Sequence, residues 1–131
     1  IRVDGKLAGL VLVRSCSEYM DLQRPHQIAE FFIMKKYRKK GVGSIVAKEI
    51  FGRFAGGWEI SVWSNNPVAK KFWESVVHEY TNGKYISFSS PENQIEGFAF
   101  YNMSIPDTSS VMQQELLSKK NQNQKRKEPE R

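Results

Sequence analysis

The stretch "QIAEFFIMKKYRKKGVGSIVAKEIF", residues 27–51, changes its hydrophobic period once, and it does so across a loop of lysines and glycines. Ile28, Phe31, Phe32, Ile33 and Met34 give residues 27–35 the near-continuous apolarity of a strand covered on both faces. Beyond Gly43 the spacing becomes helical: Val46, Ile50 and Phe54 share one stripe, with Ala47 and Phe51 beside it. Between these patterns, Lys35, Lys36, Arg38, Lys39 and Lys40 fall within six positions, and Gly41, Val42, Gly43 and Ser44 follow. A strand feeding a helix through such a loop points to an α/β or α+β architecture.

The rest of the chain supplies neighbours for that unit. Asp4-Gly5 marks a tight hairpin turn before an apolar strand over residues 7–13. Gly56-Gly57 should stop the first helix, and "WEISVWS" (58–64) reads as a strand. Asn66-Pro67 reads as a cap followed by the first position of a second helix. Ala69, Phe72, Trp73, Val76, Val77 and Tyr80 recur there at helical spacing, which buries one face. Asn82-Gly83 then turns the chain into two further strands, 84–89 and 95–105. The expected order is strand, strand, helix, strand, helix, strand, strand, with no internal repeat.

At 131 residues, 40% hydrophobic and 12% aromatic, the chain suits one globular domain over residues 1–105. Residues 106–131 differ: a weakly amphipathic stretch at 111–119 leads into low-complexity Lys, Asn, Gln and Glu, which reads as an appended helix and a solvated tail. The chain opens at Ile1 on a short stub, so upstream residues are expected in the natural protein. No apolar run approaches the roughly 20 residues that span a bilayer, and a soluble cytoplasmic protein without a membrane partner is expected. The single cysteine, Cys16, has no disulfide or metal-ligand partner and is expected to be a small buried group; no metal is expected.

The net charge of +6 is unevenly placed. Residues 106–131 hold six basic and four acidic side chains, so +4 belongs to the body, much of it in the cluster at 35–40. A local anion site explains that better than a basic face does. The loop leaves unpaired N–H groups at a helix start, where the helix dipole adds about half a positive charge. Such a place binds phosphate, and Gly41 and Gly43 carry no side chain to obstruct it. The alternative is a basic surface turn in which the glycines are only punctuation. Two nucleotide motifs are excluded, because Ser44 stands where a phosphate loop needs Lys and Val46 stands where a dinucleotide fingerprint needs its third Gly.

What remains, Arg38-x-x-Gly41-x-Gly43 after an apolar strand, resembles the acyl-CoA motif [QR]-x-x-G-x-[GA] of the GNAT superfamily of N-acetyltransferases. "SVWSNNPVAKKFWESV" is similar to that family's next strand and helix, with Asn-x-x-Ala-x-x-x-[FY] lining the cofactor cleft. The chain also resembles a bacterial group of predicted acetyltransferases with "KYR..G.G", a "WE" strand and "FW" in the second helix. The resemblance implies a GNAT-like mixed sheet with helices on both faces, of which residues 1–105 form the later part.

It further implies acetyl-CoA as the acetyl donor. Backbone groups around Ile33, Met34 and Lys35 would pair with the pantetheine arm. Arg38, Lys39, Lys40, Gly41, Val42, Gly43 and Ser44 would hold the pyrophosphate, and Asn66, Phe72 and Trp73 would flank the thioester. At helical spacing Phe72 and Trp73 fit a plain core equally well. The acceptor would be the amine of a small molecule or peptide, attacking directly, with a homodimer possible. Glu30 is the candidate base, as the one carboxylate inside an apolar strand, with a structural ion pair as its alternative. Trp73 stands where many family members carry a Tyr acid, and an indole does not ionise usefully near neutrality. His26 and His78 fit structural roles better than catalytic ones. Two other classes stay open: an acyl-CoA-binding module without turnover, and a nucleic-acid-binding protein, disfavoured because "KKNQNQKRK" has no aromatic to stack on a base.

Overall fold

The fold is given by a computed structural model, and the structure describes residues 1–38 and 40–102. Two short strands, β1 (Arg2–Val3) and β2 (Lys6–Leu7), form a separate hairpin whose turn is Asp4-Gly5, both at positive φ. The main sheet holds β3 (Gly9–Arg14), β4 (Pro25–Ile33), β5 (Gly57–Trp63), β6 (Ile86–Ser90) and β7 (Ile95–Tyr101) in the order β3-β4-β5-β7-β6. Among the described strands of this sheet, only β4 and β5 run parallel, and every other pairing is antiparallel. The connections are α1 (Val42–Arg53), between β4 and β5, and α2 (Pro67–Thr81), between β5 and β6.

The mixed sheet and the order of the elements in it are those expected, but the strand expected over residues 7–13 is divided, with Leu7 in the small hairpin and Gly9–Arg14 in the main sheet, and the helices are not divided between its faces. Ala47 and Phe51 of α1 and Trp73, Val76 and Val77 of α2 share one core with Trp58, Ile60, Val62, Phe98 and Phe100. The cause is the topology. Both crossovers step the same way across the sheet, and right-handed connections then place both helices on one side. Phe51 sits at the centre of this core, edge-on to Trp58 at 5.1 Å and to Phe100 at 5.0 Å.

The opposite face is covered by the segment between β3 and β4, residues 15–24. Met20 and Leu22 pack there on Phe88, Ile95 and Ala99. Toward β3 this cover runs out, and Leu10, Leu12 and Phe32 are about half exposed. The C-terminal half of β4 is therefore covered on one face only, which corrects the expectation for residues 27–35. Cys16 is exposed rather than buried, in the part of the segment that precedes its anchored residues. Phe54 caps α1 in extended conformation and is 43% exposed, so it leaves the helical stripe. The stretch at 111–119 and the tail lie outside the described residues.

Candidate functional site

β4 and β5 pair only at Pro25, His26 and Gln27 with Gly57, Trp58 and Glu59. Past that rung β5 stays paired to β7 along its whole length, and β4 stays paired to β3. The edge of β4 that faces β5 is consequently unpaired over residues 28–33, about 20 Å of extended backbone at roughly 3.3 Å per residue. Unpaired main-chain groups along a strand are a template for another extended chain.

Aromatic rings fill the helix side of this opening. Phe31 lies 4.9 Å edge-on from Trp73 and 5.9 Å from Phe72, and Phe72 lies 5.0 Å from Trp73. Beside them is a groove of about 700 Å³ lined by Phe31, Phe32, Ile33, Arg38, Gly41, Gly43, Ser44, Asn66, Val68, Ala69, Phe72 and Trp73. The starts of both helices border it. Gly41 caps α1 at φ 79 with no side-chain hydrogen bond, a conformation glycine adopts without strain, and the first amides of α1 have no acceptor inside the helix. Gly43 lets α1 lie against α2, because a Cβ there would come 3.3 Å from Phe72 Cζ. At α2, Asn66 Oδ1 accepts the Ala69 N–H at 3.1 Å, and Pro67 follows in the first turn. Arg38 is fixed at the rim: its Nε donates to the Ile33 carbonyl at 2.7 Å while its guanidinium lies over the Phe32 ring at 5.4 Å.

Eight of the residues singled out from the sequence therefore line one groove: Ile33, Arg38, Gly41, Gly43, Ser44, Asn66, Phe72 and Trp73. Others lie outside that lining. The Met34 N–H is already given to the Ala8 carbonyl at 2.7 Å, and Lys35 begins a short 3-10 turn (Lys35–Tyr37). The stretch of β4 that leaves β5 thus runs over residues 28–33 and ends where Met34 begins, with the Ile33 carbonyl already accepting from Arg38 Nε. Val42 packs against the cluster of Ala8, Ile33 and Tyr37, and Lys40 is exposed. Lys39 lies outside the described residues. Glu30 is exposed and stands in register with Leu12, its side chain on the face of β4 opposite Phe31 and outside the groove lining. His26 stacks on Trp58 at 5.1 Å with Nε2 3.1 Å from the Ala55 carbonyl oxygen, and His78 lies edge-on to Tyr85. Neither is in the groove lining.

Sequence reasoning missed Val68, an exposed apolar residue off the buried stripe of α2, and it missed Glu59. Glu59 is fully buried where β4 and β5 part. Its carboxylate accepts the backbone N–H groups of Glu18, Tyr19 and Met20 at 2.8–3.0 Å and Gln27 Nε2 at 3.1 Å. Burial pushes its pKa above the usual carboxylate range, and these donors oppose the shift. It anchors residues 18–20 over the sheet. A carboxylate amid the apolar "WEISVWS" was the available signal.

No family model matches the chain, and no curated protein matches it. Among solved structures, Ard1 from Thermoplasma volcanium superposes with a TM-score of 0.54 at 14% sequence identity, covering 78% of this chain and 68% of that one. The described residues have a GNAT-like fold, a five-stranded mixed sheet with two helices.

Proposed function

We propose that this chain is an acetyltransferase that binds acetyl-CoA in the groove and passes the acetyl group to an amine. The observation that carries the reading is the parting of β4 and β5 beside an uncapped helix start. The free edge at 28–33 would pair with the pantetheine arm as an added strand, and the first amides of α1 would receive the pyrophosphate. Arg38, with Lys36 and Lys40 nearby in the chain, would supply positive charge around it. In support, Ard1, which the fold resembles, is an N-acetyltransferase.

The reaction would be direct. The amine lone pair attacks the thioester carbonyl carbon, the C–N bond forms, the C–S bond breaks and sulfur leaves with the electron pair. The amine proton goes to a base or to water. Glu30 is the base in this reading, reached by an acceptor that approaches over the face of β4 away from the helices. Its replacement by Gln should lower kcat about 100-fold with acetyl-CoA affinity kept.

A second reading has one observation in its favour: among the described residues, the groove lining holds no carboxylate, histidine or tyrosine. Such a site would bind acyl-CoA without turning it over. Calorimetry with acetyl-CoA, followed by a free-thiol assay over a panel of primary amines, separates the readings. Binding with thiol release supports the transferase and binding alone supports the silent module. Absence of binding refutes both.

A further inference from the structure

Trp73 is 93% buried in packing terms, with only 7% of its surface exposed, yet its one polar atom is unspent. Its ring is held edge-on by Phe31 and Phe72. No hydrogen-bond partner for the indole N–H exists among the described residues, and the one sealed side-chain polar atom without a partner among them is Gln27 Oε1. The Trp73 N–H is therefore not sealed in protein, and the groove is the space its residue lines. The other two tryptophans differ. Trp58 Nε1 donates to the Phe54 carbonyl at 3.0 Å, and Trp63 is 60% exposed to water. Buried indoles ordinarily find an acceptor, so a fixed ring with an open N–H marks where a ligand's acceptor atom belongs.

We propose that the Trp73 indole N–H is a fixed hydrogen-bond donor to the thioester of the bound acyl-CoA and takes no part in proton transfer. The inference rests on the acyl-CoA reading above. The polar side chains of the lining divide in space: Arg38 and Ser44 belong to the loop and the start of α1, Asn66 Oδ1 is occupied by Ala69, and Trp73 stands among Phe31, Phe72 and Ala69. An acceptor lying against those apolar groups meets the Trp73 indole N–H as the side-chain donor set among them, beside the backbone groups of β4 that leave β5 after Gln27. As the C–S bond breaks, negative charge grows on the carbonyl oxygen and the sulfur, and a preorganised donor in apolar surroundings stabilises it. The indole keeps its proton, because it does not ionise near neutral pH. The proton lost by the amine leaves by another route.

The test uses protein labelled with ¹⁵N at tryptophan, whose three indole resonances are assigned by the one lost in Trp73→Phe. Titration with acetyl-CoA should move the Trp73 indole proton downfield and slow its exchange with water. Titration with free CoA shows whether the sulfur alone suffices or the carbonyl is needed. With ethanolamine as acceptor, Trp73→Phe should release thiol about 10- to 50-fold more slowly at every pH, the loss of one hydrogen bond to a developing charge. Trp73→Tyr should recover most of that rate. Acetyl-CoA that binds by calorimetry while the Trp73 indole stays unmoved overturns the inference and leaves the groove reading standing. Acetyl-CoA that does not bind overturns both. If the parent releases no thiol, the indole titration alone decides.

Discussion

The two helices that border the groove begin in opposite ways. α2 satisfies its own first turn: Asn66 caps the Ala69 N–H, and Pro67 removes a donor that would otherwise be orphaned. α1 does neither. Gly41 turns the chain at positive φ, offers no side chain, and the basic stretch that precedes it carries Arg38 at the rim. A helix start that serves only the fold is closed by its own residues, whereas one left open is a place for an outside acceptor. The two starts border the same groove and differ in this one respect.

Breaking the open start should have the largest effect. Gly43→Val places branched carbon against Phe72 and near Ile33 Cγ1, 3.8 Å from the position of a Cβ, so α1 must move away from α2. Acetyl-CoA affinity should fall more than 100-fold by calorimetry, with the melting temperature lowered as well. Gly41→Ala has open space around it, so its cost is conformational, about 1–2 kcal/mol at this φ. Affinity should fall about tenfold as the loop relaxes.

The closed start can be probed by separating cap from charge. Asn66→Ala removes the cap and should cost about 1 kcal/mol in urea unfolding. Asn66→Asp keeps an equivalent cap but adds a negative charge to the groove lining, so stability should hold while acetyl-CoA affinity drops a few-fold. Equal losses of stability in both variants would contradict the capping role. The smallest effect is expected at Lys40, which is exposed: Lys40→Ala should weaken binding less than about threefold, and 0.5 M salt should remove the difference.

Much of this site could be read from residues 27–51, because the features concerned are local. A change of hydrophobic period and a Gly-rich loop locate a strand, a turn and a helix start by short-range geometry alone. Asn66-Pro67 did the same for α2, and the cap is present as the spacing implied. What escaped depends on distant pairing. That β4 leaves β5 after Gln27 is a matter of how two strands joined through α1 diverge in space, and no pattern within β4 encodes it. Glu59 escaped for the same reason, since its partners at Glu18, Tyr19 and Met20 are 39 to 41 residues away. Glu30 looked enclosed because its neighbours are apolar, yet strand alternation puts it on the thinly covered face with Phe32. The placement of both helices on one face is likewise a property of the crossovers and not of either helix.

The most direct measurement is an amide ¹H–¹⁵N titration of the chain with acetyl-CoA. The largest shifts should fall on the amides of Gly41, Val42, Gly43 and Ser44 and along residues 28–33, with those of Ala69 and its cap much less affected. Shifts concentrated in the basic residues beyond 118, or no shifts at all, would contradict binding in the groove.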